Sequence, residues 1–281
     1  MKTKSKLPAL QGLILKIILM ILFLCPFYIA ICYSFKTKSQ IVATGLEFPT
    51  SFHLDNFVQA IGLTNKAGMP YWNTIFNTLI STVFGTLLLT LLTVMSSYVL
   101  ARRKGKLYTA FYSLMILSLL IPIQAYMFPL YTLLRDLSLL NTQTGFVLTK
   151  VAAQLGFSVI ITTGFVKTIP LEIEEAARVD GAGFLATFIR IIFPLMRPII
   201  LTSIVLNALS IWNDFSIAFI TLIKPSKYII SLLQFNFIGA NSSQMNYAFA
   251  LFTLSMLPIL ILYFILQKYI IGGIIMGSVK G

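Results

Sequence analysis

The sequence contains few charged residues, and acidic residues are the scarcest of them. Only 8 of its 281 residues are Asp or Glu, charged residues make up 10% of the chain, and hydrophobic residues make up 58%. Soluble domains have roughly 25% charged and 45–50% apolar residues. A soluble fold could not bury this much apolar surface behind so few charges. The composition therefore excludes a soluble domain and indicates an integral membrane protein.

Side chains that serve catalysis or metal binding are also scarce. His53 is the single histidine, and a lone histidine has no partner for a metal site or a proton relay. Cys25 and Cys32 are the two cysteines; two helical turns separate them by about 10 Å, too far for a disulfide within one helix. The apolar runs carry no paired carboxylates and no Ser-His-Asp set. We therefore predict no catalytic residues and no metal site.

The phosphate loop of ATP-hydrolysing proteins, Gly-x-x-x-x-Gly-Lys-Ser/Thr, is missing as well. Gly105-Lys106 is followed by Leu107, and no glycine stands five residues before Gly105. We therefore expect that this chain is not an enzyme, does not hydrolyse ATP and binds no cofactor.

What the sequence has in abundance is long apolar runs. A membrane-spanning helix needs about 20 predominantly apolar residues. Six such runs occur, at 13–35, 73–100, 107–134, 143–166, 199–223 and 247–270. We predict an all-α integral membrane protein with six transmembrane helices.

The distribution of Lys and Arg predicts the orientation of these helices. With the N-terminus inside, 13 basic residues fall on the inner side and six on the outer side, so both termini are predicted to be cytoplasmic. The first run is too long for a cleaved signal and lacks a small-residue cleavage site. The net charge of +13 does not indicate nucleic acid, because the basic residues flank spans, where anionic lipid headgroups lie.

We divide the chain accordingly into four regions. They are an N-terminal segment with the first span (1–35), an outer loop with at most a short helix (36–71), a core of five spans (72–270) and a cytoplasmic tail (271–281). A longer connection between the fourth and fifth spans, residues 169–198, interrupts the core.

This connection holds half of the acidic residues of the chain. Glu172, Glu174, Glu175 and Asp180 fall within nine residues. Acidic side chains favour the first turn of a helix, and Asp180-Gly181 is a typical helix stop. A second helical run follows from about residue 184. The pattern predicts a helix-turn-helix at the cytoplasmic surface to which another protein docks; the alternative is an ordinary solvated loop, although such inner loops are normally short and basic.

The same residues resemble a known motif. Glu175-Ala176-Ala177-x-x-Asp180-Gly181-Ala182, followed by Phe188, Ile191, Pro194 and Pro198, resembles the EAA loop in membrane subunits of ATP-binding-cassette (ABC) importers. Trp212-Asn213-Asp214-Phe215 is similar to a stretch of carbohydrate-importer permeases. The end of the chain, 272–281, resembles the Gly-rich segment ending in Val-Lys-Gly in the second permease subunit of the maltose-type family.

The resemblance implies the type I ABC importer permease fold and carbohydrate import. It also implies that the 169–198 connection forms a coupling helix held by a separate ATPase. The motif positions that would couple to it are Glu174, Glu175, Ala176, Ala177, Asp180, Gly181 and Ala182, with Val279 and Lys280 reaching between the ATPase subunits.

The partners implied are a homologous second permease, two ATPase subunits that use ATP, and an extracytoplasmic solute-binding protein, at the bacterial cytoplasmic membrane. The same machine could carry another solute, such as a glycerophosphodiester, a polyamine or a peptide. A strongly anionic solute would need basic residues in the path, and we expect Lys150 near its outer edge. A secondary carrier would need coupling-ion sites and usually repeated halves, which the sequence does not show. A purely structural scaffold is the last alternative.

A polar stripe in the fifth span is the candidate translocation path. Ser203, Asn207, Ser210 and Asp214 step by four, three and four residues and would share one helix face. An acid within a span is a functional-site hypothesis by default. Asn213, Gln124 and Gln154 are further candidates. The alternative is that these polar groups only join neighbouring helices.

Overall fold

The chain is helical throughout the residues that its computed structural model describes, 7–240 and 244–278. In chain order the helices are α1 (Leu7–Phe35), α2 (Lys38–Thr44), α3 (Asp55–Lys66), α4 (Tyr71–Arg102), α5 (Lys106–Ser118), α6 (Ile123–Asp136), α7 (Gln143–Val166), α8 (Glu172–Val179), α9 (Phe184–Leu195), α10 (Arg197–Trp212), α11 (Ser216–Thr221), α12 (Ile230–Ala240) and α13 (Met245–Ser278). Helix α9 contains a π-helical turn at Phe188–Ile192.

Four helices, α1, α4, α7 and α13, are long and apolar enough to cross a membrane, and the number reaches six if each of two bent helix pairs counts as one span. Within its most apolar window, α1 has no buried residue, whereas 44% of the window is buried in α4 and in α7. Apolar surface loses nothing by facing lipid, whose tails are equally apolar. The multi-pass membrane protein expected from composition is therefore what the fold provides.

The predicted third span, 107–134, is not one continuous helix. Helices α5 and α6 meet at an angle of 103°. Pro122 explains the break: it lacks a backbone N–H, and the residue before a proline is disfavoured in the helical region. Pro122 itself is extended, with ψ 141°, immediately before α6.

The predicted fifth span, 199–223, is also interrupted. Helix α10 ends at Trp212, and α11 begins only at Ser216. At its other end, α10 meets α9 at an angle of 71°. Pro198, in the first turn of α10, cannot donate the hydrogen bond that would continue α9 through the bend.

The 36–71 region is more regular than the predicted irregular loop, because it contains α2 and α3. Helix α2 begins with a capping box: the Gln40 backbone N–H donates to Thr37 Oγ1 at 3.2 Å, and the Thr37 N–H donates to Gln40 Oε1 at 2.8 Å. Thr-x-x-Gln is the sequence signature of such a helix start. The sequence therefore carries a local signal for the start of α2.

The last helix extends beyond its predicted end at residue 270. Helix α13 continues to Ser278, so the backbone of the predicted tail from 271 onwards is helical as far as it is described. Val279 and Lys280, predicted to reach between the ATPase subunits, lie outside the described residues.

The chain separates into two compact units. One comprises residues 1–70 and 234–257, and the other comprises 71–233 and 258–281. In the first unit, the ammonium group of fully buried Lys36 donates to Thr44 Oγ1 at 3.0 Å and to the Gly45 carbonyl at 2.8 Å. This places a positive charge at the C-terminal end of α2, where the helix dipole favours it.

The second unit is organised around α4 and α7. Helix α7 also lies close to α5, where Gly156 makes the approach possible. A Cβ atom on Gly156 would lie 2.7 Å from the Met115 carbonyl oxygen, which no side chain can accept without displacing backbone. This unit holds both candidate regions named from the sequence, the 169–198 connection and the polar stripe.

Candidate functional site

The 169–198 connection folds into the helix-turn-helix that its sequence predicts. Glu172, Glu174 and Glu175 occupy the first turn of α8. Its C-terminal end is closed by two hydrogen bonds, from the Gly181 N–H to the Arg178 carbonyl and from the Ala182 N–H to the Ala177 carbonyl. Gly181 has a φ of 81°, the left-handed conformation that this type of helix end requires.

One side of this connection is exposed and partly apolar. Val179 is 88% exposed and Leu185 is 65% exposed, and Glu175, Ala176 and Asp180 are exposed as well. We call these five residues the docking face. An exposed apolar patch edged by charge marks an interaction surface. Glu175, Ala176 and Asp180 of the motif belong to the docking face, and the next residue, Gly181, is exposed as well. Four of the motif positions therefore lie at or next to a surface that another protein could cover.

The opposite side of α8 is buried and is attached to the end of α4. Arg102 Nε donates to Glu174 Oε1 at 2.5 Å, and the Tyr98 hydroxyl donates to Glu174 Oε2 at 3.0 Å. Arg102 Nη2 also donates to the Ile169 carbonyl at 2.8 Å. The Glu174 side chain is only 2% exposed and the Arg102 side chain 9%. We call Tyr98, Arg102 and Glu174 the α4–α8 cluster.

Aromatic contacts strengthen the same attachment. The Tyr98 ring stacks on Phe188 of α9, with 4.8 Å between the ring centroids. The Arg103 guanidinium lies over the Phe184 ring at 5.3 Å. Both helices of the connection are thus packed against the end of α4.

Sequence reasoning missed the roles of Tyr98 and Arg102. In the sequence, Arg102 is one of four basic residues within positions 102–106. No sequence pattern separates the buried Arg102 from the exposed Arg103 beside it, because the distinction depends on which side of α4 meets α8.

Two residues of the predicted polar stripe, Asn207 and Ser210, bond α10 to α7. The Ser158 hydroxyl donates to Asn207 Oδ1 at 2.8 Å, and Asn207 Nδ2 donates to Ser203 Oγ at 3.2 Å. The Ser210 hydroxyl donates to Gln154 Oε1 at 3.2 Å. These bonds agree with the alternative of polar residues joining neighbouring helices.

Asp214 does not continue this stripe on the helix, because α10 ends before it. Its buried carboxylate accepts a hydrogen bond from the Lys150 ammonium at 2.8 Å. The other carboxylate oxygen accepts from the backbone N–H groups of Ile217 and Ala218, at 3.0 and 3.1 Å, in the first turn of α11. Lys150 is thus a buried partner of Asp214.

The two remaining candidates of the predicted path are exposed. Asn213 follows the last residue of α10, and its amide donates to the Leu209 carbonyl at 3.0 Å. Gln124 lies in the first turn of α6. Neither residue belongs to the hydrogen-bonded groups around Asn207 or Asp214 described above.

Metal binding has no visible basis in the part of the chain that is described. There, no group of three or more His, Cys, Asp or Glu side chains could hold a metal ion.

Comparison with known proteins assigns the chain to a family. A family model described as "Binding-protein-dependent transport system inner membrane component" matches residues 93–275. The melibiose/raffinose/stachyose import permease protein MelC of Bacillus subtilis is 35% identical over 257 residues, 91% of each chain. The multiple sugar-binding transport system permease protein MsmG of Streptococcus mutans is 31% identical over 282 residues, covering both chains fully.

A solved structure supports the fold. A bacterial ABC transporter involved in the import of the acidic polysaccharide alginate superposes with a TM-score of 0.78 and 24% identity, covering 96% of this chain and 99% of that one. At this identity the likeness establishes the architecture only. With the family match and the two relatives, it follows that the chain belongs to the inner membrane components of binding-protein-dependent transport systems.

Proposed function

We propose that this chain is a permease subunit of an ATP-driven importer and forms half of the pathway for a mono- or oligosaccharide. Its family depends on binding proteins for transport. Relatives covering nearly all of the chain are named for melibiose, raffinose and stachyose, for multiple sugars, and for starch degradation products. Carbohydrate is the solute class that these names share.

The working complex contains four further subunits. We propose a homologous second permease that completes the pathway, two ABC ATPase subunits on the cytoplasmic side, and a solute-binding protein outside. The phosphate loop missing from the sequence is supplied by the ATPases, so ATP is used there and this chain binds no cofactor.

The observation that carries the proposal is the two-sided 169–198 connection. Its docking face exposes Val179 and Leu185, whereas the buried side joins Glu174 to Arg102 at the end of α4. An ATPase that grips the docking face would therefore move α4 when it closes on ATP. Alternating access follows if this movement opens the pathway to one side of the membrane at a time.

The orientation of the chain follows from the same proposal. Both termini and the 169–198 connection lie on the cytoplasmic side of the bacterial membrane, which agrees with the excess of basic residues there. The 36–71 region, with α2 and α3, lies outside and meets the solute-binding protein.

The translocation path through Ser203, Asn207, Ser210, Asn213, Asp214, Gln124 and Gln154 stays a prediction. The bonds of Asn207 to Ser158 and of Asp214 to Lys150 supply a partner for the polar groups without a solute. They make the joining of helices the better-supported role for those two side chains.

The test is uptake together with subunit retention in the native host. The chromosomal gene is deleted or given an N-terminal affinity tag, and uptake of radiolabelled melibiose, raffinose, maltotriose and arabinotriose is measured. The tagged chain should bring down a protein with a Gly-x-x-x-x-Gly-Lys-Ser/Thr phosphate loop. The deletion strain should lose uptake of at least one sugar, and restored expression should return it.

Two valines make a matched pair of variants for the docking face. Val179→Glu places a charge in the docking face and should release the ATPase subunit. Val42→Glu makes the same change at a residue 81% exposed on α2, and the ATPase should stay bound. Retention of the ATPase by Val179→Glu would refute the docking assignment, and normal uptake of all four sugars by the deletion strain would refute sugar import in that range.

A further inference from the structure

We infer that Glu174 does not bind the ATPase but fixes α8 to α4, so that the α4–α8 cluster transmits the movement of the docking face to α4. The inference rests on the proposed function and changes the role of one motif position. Glu174 becomes a positioning residue, and Arg102 and Tyr98 become its partners.

The geometry of α8 separates Glu174 from the docking face. Glu174 and Ala177 are buried on one side of the helix, at 2% and 5% exposure, whereas Glu175 and Ala176 are exposed. Both carboxylate oxygens of Glu174 are already occupied within the chain, one by Arg102 and the other by Tyr98. A partner protein cannot reach this carboxylate without first separating α8 from α4.

The cluster holds α8 in one position because it combines several directed contacts. Arg102 bonds to Glu174 through Nε and to the Ile169 carbonyl through Nη2, so a single guanidinium connects α4 to α8 and to the chain just before it. Guanidinium nitrogens donate in a fixed planar arrangement. Tyr98 adds its hydroxyl bond to Glu174 and its ring contact with Phe188. Rotation or sliding of α8 would break both bonds to Glu174 together.

Because the Arg102–Glu174 pair is buried, the loss of either partner should have a large effect. By contrast, Arg135 and Asp136 form a pair with side chains 59% and 64% exposed, and such surface pairs contribute little. Loss of one partner of a buried pair leaves a charge without compensation. We therefore expect the contacts of the cluster to be kept or lost as a whole. An attachment of this kind can pass a movement of α8 on to α4.

A coupling ratio tests this role. The importer complex, purified with its own subunits and binding protein, is placed in proteoliposomes, and ATP hydrolysis and uptake of the radiolabelled sugar that wild type imports are measured. Coupling between sites typically amounts to 5–150-fold, so Glu174→Gln should lower sugar imported per ATP about tenfold. ATPase retention and ATP hydrolysis should stay close to wild type. Arg102→Lys, which keeps the charge, should recover part of the ratio that Arg102→Gln loses.

The matched control is Asp136→Asn, which breaks the exposed pair and should leave the ratio unchanged. An unchanged ratio in Glu174→Gln would overturn the inference. Loss of the ATPase from a normally stable chain would also overturn it, because Glu174 would then belong to the docking surface. If Glu174→Gln does not accumulate, Tyr98→Phe removes one hydroxyl only, and the same criteria apply to it.

A distance measurement separates this inference from the proposed function. Spin labels on Glu172→Cys, an exposed position of α8 outside the docking face, and on Lys104→Cys, with Cys25→Ser and Cys32→Ala in the background, report the separation of α8 from the end of α4. In wild type the distance distribution should be narrow and equal in the nucleotide-free and ATP–vanadate states, and in Glu174→Gln it should broaden. Equal widths in both proteins would overturn the inference whether or not sugar is transported. A wild-type complex that imports no sugar would instead refute the proposed function.

Discussion

The buried Lys150–Asp214 pair leads to a prediction that separates a structural role from a transport role. Breaking a buried ion pair by removing one partner typically costs about 3–5 kcal/mol, because the other charge stays buried. In Asp214→Asn the side chain can still accept from the N–H groups at the start of α11, since Asn serves as well as Asp at such positions. The cost of that variant therefore comes from the uncompensated charge of Lys150.

Thermal unfolding measures this cost. A change of 1 kcal/mol corresponds to about 2–4 °C for chains of 150–250 residues, so Lys150→Met or Asp214→Asn should lower the midpoint by about 6–20 °C. The midpoint is measured on the complex purified in detergent. Thermal midpoints of both single variants and of the double variant complete a double-mutant cycle.

The double variant decides between the two roles. Lys150→Met with Asp214→Asn removes both charges and keeps the cap of α11, so it should be more stable than either single variant. If Asp214 instead lines the translocation path, Asp214→Leu should impair uptake and leave assembly intact. Wild-type thermal stability of Asp214→Asn together with reduced uptake would support a role in the translocation path. A double variant that loses as much stability as the two single variants together would refute the pairing argument.

Three further predictions address packing, topology and the polar stripe. Gly156→Ala should destabilise the protein by about 1–3 kcal/mol through overpacking against α5, whereas Gly164→Ala, with open space around its Cβ position, should be neutral or stabilising in thermal unfolding. In a cysteine-free background, a membrane-impermeant maleimide should label Val42→Cys in intact cells and Lys104→Cys, exposed in the turn after α4, only after permeabilisation; the reverse pattern would invert the topology. Asn207→Val should lower thermal stability and leave sugar uptake per assembled complex unchanged, since its amide bonds Ser158 and Ser203; reduced uptake at normal stability would place it in the path.

The helix-turn-helix at 172–198 was predictable because its signals are local. Acidic residues in the first turn, alanines within the helix and Asp180-Gly181 at its end each act on the backbone of their immediate neighbours. The structure places all of them as the pattern requires, with Gly181 in the left-handed conformation. The family resemblance of the same residues is confirmed by the comparisons.

The breaks in the third and fifth predicted spans could not be obtained from hydropathy. An apolar run indicates that a segment lies in an apolar environment. It does not show whether the helix continues through that segment without a break. Pro122 gave a local warning, but prolines are tolerated inside membrane helices where neighbours satisfy the freed groups, as Pro26 is within α1. Whether a proline bends or ends a helix depends on contacts that lie far away in sequence.

Partners of buried polar groups were equally out of reach of the sequence. Arg102 pairs with Glu174 across 72 positions, and Lys150 with Asp214 across 64. A helix periodicity shows that residues share a face but not which helix that face meets. Ser203, Asn207 and Ser210 do lie on α10 at the predicted spacing, and the helix they meet is α7.

The contrast between exposed residues and buried polar residues explains why the sequence indicates the docking face more clearly than it indicates the translocation path. Inside a bilayer no water satisfies a polar group, so a lumen-lining residue and a helix-joining residue follow the same rule of facing protein. Polar periodicity therefore selects both. In water the energetic cost is reversed. An exposed apolar side chain such as Val179 is unfavourable unless another protein covers it, whereas an exposed charge is hydrated. The 169–198 connection exposes apolar residues on one side and buries the Glu174 carboxylate on the other. Its two sides therefore need different partners. The contact between Glu174 and Arg102 supplies the buried attachment. If an ATPase covers the exposed side, as we propose, this contact is the point at which transmission is expected to fail first.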